Sequence, residues 1–234
     1  MYKVKDLVIR DLAPVSVEEI TEVVDLAMRD GLVAQWLQPD TAARHRGSAD
    51  YFAIFVGHAL RFGDVYTTAE GGTGRLTGAA LWLPMTTMVP APLDYERRIK
   101  EIAGDAYDRV CELDAALDAE HPTGDHHYLA YLAVRPDQQG RGLGSTLLRR
   151  HHRRLDAAGL PAYLEANDPR NRDLYLRHGY RVRSVIDLPD GPPLNLFQPG
   201  DGSEAAGSLT GAGAAGPGHV EKGSLWCMWR PPME

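Results

Sequence analysis

The period of the apolar positions changes along this chain, and the changes predict its elements. Residues 3–10 lead to the short apolar run Leu7-Val8-Ile9 and predict a first strand. Ser16 then stands three residues before Glu19, a capping-box spacing, and Ile20, Val23, Val24 and Ala27 follow at helical intervals up to Gly31. A short helical piece runs to Trp36 and stops at Pro39. Residues 49–62 carry Phe52, Ile54, Phe55, Val56 and Leu60, the density of a buried helix. Residues 64–70 and 76–83, separated by Gly71, Gly72 and Gly74, predict a hairpin. Pro84, Pro90 and Pro92 mark a loop, and residues 93–119 predict helix with a break near Gly104.

The second half alternates strand and helix more regularly. Residues 128–134 read as a strand of large apolar side chains. Residues 142–158 place Leu143, Leu147, Leu148 and Leu155 on one helical stripe, which Gly159 and Pro161 end. Residues 163–166 form a further strand, and Asp168-Pro169 supplies an N-cap followed by proline at the first helical position. That helix ends at His178-Gly179; strands at 180–188 and 225–230 complete the pattern. Between those strands, residues 189–223 are rich in Gly, Ala, Pro and Ser and lack apolar periodicity. They read as a flexible insertion in a hairpin-like connection, either an inert linker or a lid. The strand–helix alternation implies an α/β (α+β) architecture, expected as one domain over residues 1–234.

Composition narrows the function. A formal charge of −7 and a pI near 5.7 argue against nucleic acid, whose phosphates need a basic face. Cys111 and Cys227 alone make no disulfide framework, the N-terminus shows no signal-peptide core, and no apolar run is long enough to span a bilayer. The expectation is a soluble cytoplasmic protein without membrane or nucleic-acid partners. No His-Glu-x-x-His or Cys-x-x-Cys spacing occurs, so no metal is expected; no Gly-x-Ser-x-Gly elbow occurs either.

The strongest local signal is the turn from Val134 through Pro136, Gln139, Gly140, Arg141, Gly142, Leu143, Gly144 and Ser145. A strand ends, a glycine-rich turn follows and a helix begins. Glycines let a ligand approach the backbone, and the free N–H groups of a helix start bind anions with help from the helix dipole. Arg141 could add charge. This is the chemistry a pyrophosphate needs, and the turn matches neither G-x-G-x-x-G nor the Walker spacing.

Gln139-x-x-Gly142-x-Gly144 after Val134-x-Pro136 resembles the coenzyme A signature of the GNAT acyltransferase superfamily. Downstream, the run from Asn171 through Tyr175 to Gly179-Tyr180 resembles the second motif of that superfamily. Stretches around Ala27–Asp30, Trp36, Pro39-Asp40, Arg44, Leu164-Glu165, Pro169–Asn171 and Trp226–Met228 are similar to puromycin N-acetyltransferase-like members. The resemblance covers nearly the whole chain except 189–223. It implies a mixed central sheet, flanked by helices and splayed between the strands at 128–134 and 162–166, with acetyl-CoA as acyl donor. The pantetheine arm would pair with Leu132, Ala133 and Val134, and the pyrophosphate would sit on the amides of Gln139, Gly140, Arg141, Gly142, Leu143, Gly144 and Ser145. The acceptor implied is a small-molecule amine, an antibiotic among the possibilities. A peptide acceptor or a non-catalytic acyl-CoA sensor stands as the alternative, and monomer and homodimer remain open.

Acyl transfer to an amine requires a neutral nucleophile, stabilisation of the oxyanion and protonation of the leaving thiolate. An alkylammonium with a pKa of about 10 needs a base near neutral pH. The resemblance makes Tyr175 the candidate acid, close to the coenzyme sulfur; from its helix alone it would be a core aromatic. Glu165 is one candidate base, the alternative being a salt bridge to a neighbouring arginine. His126 is the other. His126 and His127 alternate faces, so only one can address a site unless a bulge intervenes, and both could instead be structural, one solvent-facing and one packed. Asn171 is read either as a hydrogen-bonding partner of the coenzyme or as part of a local cap. His151, on the leucine stripe, is expected to be partly buried, the arginines around it solvated, and Cys227 part of the core.

Overall fold

The computed structural model describes residues 7–11, by backbone only, together with 15–189 and 223–233. β1 (Leu7–Asp11) is followed by α1 (Val17–Met28), α2 (Leu32–Leu37) and α3 (Thr41–Phe62). β2 (Asp64–Glu70) and β3 (Leu76–Pro84) form the hairpin, then α4 (Tyr95–Ala103) and α5 (Tyr107–Glu120) cross over to β4 (His127–Val134). α6 (Leu143–Ala158), β5 (Ala162–Ala166), α7 (Pro169–Arg177), β6 (Arg181–Asp187) and β7 (Ser224–Arg230) complete the described chain.

The capping box of α1 is present in full: Ser16 Oγ accepts from the Glu19 amide at 3.2 Å, and Glu19 accepts from the Ser16 amide at 3.0 Å. α3 begins at Thr41, eight residues before the start that apolar density predicts. Its first two turns are polar, so periodicity does not announce them. The Asp40 carboxylate caps them by accepting from the Ala43 amide at 2.7 Å, and Arg44 is buried there on carbonyl oxygens. The break near Gly104 is a 3-10 turn between α4 and α5. Residues 3–6 of the expected first strand and 190–222 of the insertion lie outside the described residues. The ends of that insertion meet, with the Leu188 amide donating to the Gly223 carbonyl at 3.0 Å.

The strands form one mixed sheet in the order β1-β2-β3-β4-β5-β7-β6. Neighbours are antiparallel except β4 and β5, which are parallel and joined by α6. On one face, Leu147, Leu148 and Leu155 of α6 pack on Ala80, Trp82 and Leu129. On the other, Val23 and Val24 of α1 and Phe52 and Val56 of α3 pack on Ala79, Leu81 and Ala133. α2 and α5 extend this second layer over the β5–β7–β6 half, through Trp36 and Leu113 against Tyr163, Cys227 and Ile186. Cys227 is buried in that layer, as expected, whereas Cys111 is exposed.

Two irregularities shape the middle of the sheet. β4 pairs with β5 only at His127↔Ala162 and Tyr128↔Tyr163, after which the strands part. β4 also shifts register against β3: Leu81 opposes Tyr131 but Trp82 opposes Leu129, leaving Ala130 as the extra residue of a bulge. The bulge resets the alternation of faces. Leu129 and Leu132 both lie toward α6, while Tyr131 and Ala133 both lie toward α1 and α3. The expected splay between these strands is therefore present and begins after Tyr128.

Gly63 makes the tight passage from α3 into β2. A Cβ there would lie 2.0 Å from the Trp82 carbonyl oxygen, and that backbone is held in the β2–β3 ladder. Gly63→Ala should lower unfolding free energy by about 1–3 kcal/mol, the usual cost of overpacking. Urea denaturation checks this; an unchanged midpoint would show that the junction can relax.

Candidate active site

Where β4 and β5 part, a cavity of about 230 Å³ opens through the sheet. Leu129 and Leu132 approach it from the α6 side, Tyr128 and Tyr131 from the opposite side, and Glu165 and Asn167 from the end of β5. Tyr175 and Asn171 reach it from α7, and α1, α2, α3 and α5 form the remaining walls.

Glu165 owes its position to strand alternation. Leu164 and Ala166 face the α6 core, so Tyr163 and Glu165 face the α5 layer. The carboxyl is buried, and its Oε1 has no hydrogen-bond partner. Desolvation raises its pKa from 4.5 to about 7, although the nearby Tyr128 and Tyr163 hydroxyls and its own backbone pull it down. Among the described residues no arginine forms an ion pair with Glu165.

Tyr175 also lines the cavity, with its ring edge-on to Tyr180 at 5.7 Å between centroids. Burial, then the charges of Asp168 and Glu165, push its phenol well above the ordinary value. It stays neutral and keeps a proton to donate. Asn171 bears out the capping reading and lines the cavity as well: its amide N–H donates to Asp168 at 2.8 Å, and its side chain donates to Asn167 at 2.8 Å and to Asp168 at 2.6 Å.

His126 does not reach this site. It precedes β4 at the end where the strands are still paired, whereas the cavity opens beyond Tyr128. The ring is 1% exposed, with Nδ1 2.6 Å from the Gly124 carbonyl and Nε2 3.1 Å from His121 Nε2. His127 is buried on the opposite face, 3.0 Å from His151, so neither histidine points to solvent. His151 is completely buried rather than partly, stacked on Trp82 at 4.1 Å.

Asp64, His127 and His151 bring three possible metal-ligand atoms within 4.8 Å of one another, a grouping hidden in sequence because its members are far apart. His151 Nδ1 also lies 3.2 Å from the Tyr66 hydroxyl. Arg154 donates to Asp64 at 2.6 Å, and the two histidine rings share a hydrogen bond. Arg154 is thus an ion-pair partner, not a purely solvated arginine.

The glycine-rich turn lies beyond the end of β4. Gly140 and Gly142 hold φ values of 75° and 77°, a region closed to most side chains, and a Cβ at either would meet nothing within 4 Å. α6 starts on Gly142 without a side-chain cap, so its first amides are left for an anion. Ser145 is held by a 2.9 Å bond to His178. Arg141 is exposed at the turn and Leu143 is buried beneath it. Gly144 packs in ordinary contact on Leu132 and Leu174. Gln139 donates to the Val134 carbonyl at 3.2 Å, while Ala133 pairs with Ala79 on the far edge of β4. The edge of β4 facing the gap has no strand partner beyond Tyr128. An open strand edge leading to uncapped helix amides fits a long ligand with an amide-bearing arm and a terminal pyrophosphate.

Tyr131 and Asn167, and the α5 residues Leu113 and Leu117, also line the cavity and were not distinguished as site residues by sequence. Only the bulge and the sheet order bring them there.

Comparison with known proteins agrees with this geometry. Residues 105–182, which hold α5 through α7, match the family model described as Acetyltransferase (GNAT) domain. A Corynebacterium glutamicum structure described as histone acetyltransferase HPA2 and related acetyltransferase aligns over 98% of both chains at 21% identity and TM-score 0.63. Arylalkylamine N-acetyltransferase 2 from Aedes aegypti aligns over 98% of this chain and 100% of its own, at 10% identity and TM-score 0.61. An agmatine N-acetyltransferase aligns over 97% and 100%, at 14% identity and TM-score 0.55. The fold is that of these acetyltransferase structures, and residues 105–182 match the GNAT acetyltransferase domain model.

The raised pKa of Glu165 has a thermodynamic consequence. The folded protein keeps a proton that the unfolded chain releases above 4.5, so the resulting stability is full below 4.5 and is lost as pH rises to about 7. Glu165→Gln has no such loss. Its stability relative to the parent should grow by up to about 3 kcal/mol from acid to neutral pH, less where water reaches the cavity. Denaturant unfolding of both proteins at pH 4.5 and 8 measures this, and a pH-independent difference would refute the shift.

Proposed function

We propose that this protein transfers the acetyl group of acetyl-CoA to the primary amine of a small molecule by direct attack of the amine on the thioester. The observation that carries the reading is Glu165, a buried carboxyl with an unpartnered oxygen and a pKa of about 7 on the wall of a cavity between parting strands. A carboxylate tuned near the working pH is suited to take a proton from an ammonium group, directly or through one water. The neutral amine then attacks the thioester carbon.

Tyr175 donates a hydrogen bond to the departing sulfur. Burial raises its phenol, so complete transfer to a thiolate is more uphill than for an exposed tyrosine. Its contribution is stabilisation of developing charge, with the proton lost by the attacking nitrogen finally reaching the thiolate. The β4 edge at Leu132–Val134 would hold the pantetheine amides. The turn from Gln139 to Ser145 would hold the pyrophosphate, with Asn171 bracing the α7 start beside it. With His126 engaged elsewhere, Glu165 is the general base. The resemblance to puromycin N-acetyltransferase-like proteins makes aminonucleosides one acceptor class to assay, and an acceptor of that kind would make antibiotic resistance a biological role.

Thiol release from acetyl-CoA should occur with at least one small amine. kcat/KM should rise with pH through about 7 as Glu165 ionises. Glu165→Gln should remove that rise and lose about 10²–10⁴-fold in rate. Tyr175→Phe should lower kcat while leaving the acetyl-CoA KM nearly unchanged. Full activity of the Glu165 variant would exclude it as the base.

A further inference from the structure

We propose that the acceptor is a monocation carrying an apolar body, and that the cavity discriminates against diamines and polyamines. The inference rests on the amine-acetyltransferase reading and concerns which amine the site accepts. Among the described residues lining the cavity, Glu165 is the only carboxylate. The lining phenols of Tyr51, Tyr128, Tyr131 and Tyr175 are all pushed up by burial and remain neutral. Arg44, the one lining cation, is spent on its surroundings. Its Nε donates to the Arg29 carbonyl at 2.8 Å, Nη1 to the Gln38 carbonyl at 2.8 Å and Nη2 to Asp30 at 3.2 Å.

The walls contributed by α2 and α5 are apolar. Val110, Leu113 and Leu117 follow one another at spacings of three and four along α5, a stripe about 10 Å long, with Val33 and Leu37 from α2 completing this wall. Nearby carboxylates do not line the cavity. Asp114 accepts from the Tyr95 hydroxyl at 2.8 Å, and Asp168 caps α7. One ammonium can therefore meet one carboxylate. A second, carried several ångströms along the acceptor, would lie on the apolar stripe without a counter-charge, which is unfavourable. A hydrocarbon or ring at the same place gains from leaving water.

Heptylamine and 1,6-diaminohexane test this as near-isosteres, differing by a terminal methyl against a terminal ammonium. Acetylation by the wild-type protein, followed by thiol release, should give a kcat/KM for heptylamine about 10²-fold or more above that for the diamine. Leu117→Glu, a partly exposed lining position, should narrow the ratio by restoring a counter-charge; the wild-type comparison stands if that variant does not fold. Equal or better turnover of the diamine overturns the inference while leaving the acetyltransferase reading intact. Turnover of no amine across a wider panel overturns the acetyltransferase reading and the inference with it.

Discussion

The site depends on one constraint: β4 and β5 cannot stay paired beyond Tyr128. The bulge at Ala130 turns the side chains of β4 by one position, and β5 continues instead against β7 from Ala162 to Ala166. A parallel pair that parts leaves an unpaired strand edge and a gap in the middle of a sheet, which would be costly in an ordinary core. Here the gap is flanked on one side by the uncapped start of α6 and on the other by the layer of α1, α2, α3 and α5. The cavity and the open edge are consequences of that parting, and the glycine-rich turn lies at the end of the opened strand.

The same geometry explains why Glu165 is poised as it is. Its neighbours Leu164 and Ala166 are fixed in the α6 core, so strand alternation forces the carboxyl into the gap. Across the sheet it opposes Cys227, which offers no counter-charge. The desolvation that would be a liability elsewhere raises the carboxyl's pKa to about 7, the value its proposed role as base requires. The buried polar groups on the α6 side contrast with it. His127, His151, Arg154 and Asp64 are bonded to one another, and Arg230 holds Asp156 through a double contact at 2.8 and 2.9 Å. These charged and imidazole groups have polar partners, whereas one carboxyl oxygen of Glu165 at the gap has none.

Much of this was legible in the sequence because it is local. The capping box at Ser16, the leucine stripe of α6, the glycine turn and the Asp168-Pro169 helix start are each set by neighbouring residues. Tyr175 stood out only through the resemblance of its helix to the second GNAT motif, and Glu165 through its place on a strand expected to flank the splay. The start of α3 was hidden because its first turns are polar. His126 was misjudged because the position at which β4 and β5 separate is set by a bulge, which no local pattern announces. The apolar wall of α5 and the Asp64–His127–His151 grouping come from contacts between distant segments, and residue spacing carries no record of them.

The central claim is that the parted β4 edge and the α6 turn receive acetyl-CoA. Hydrogen–deuterium exchange with and without coenzyme A tests it most directly. The account predicts that amides in segments 129–134 and 139–145 gain protection on binding, while the β2–β3 hairpin is unchanged. Binding of coenzyme A with no gain of protection in either segment would contradict it.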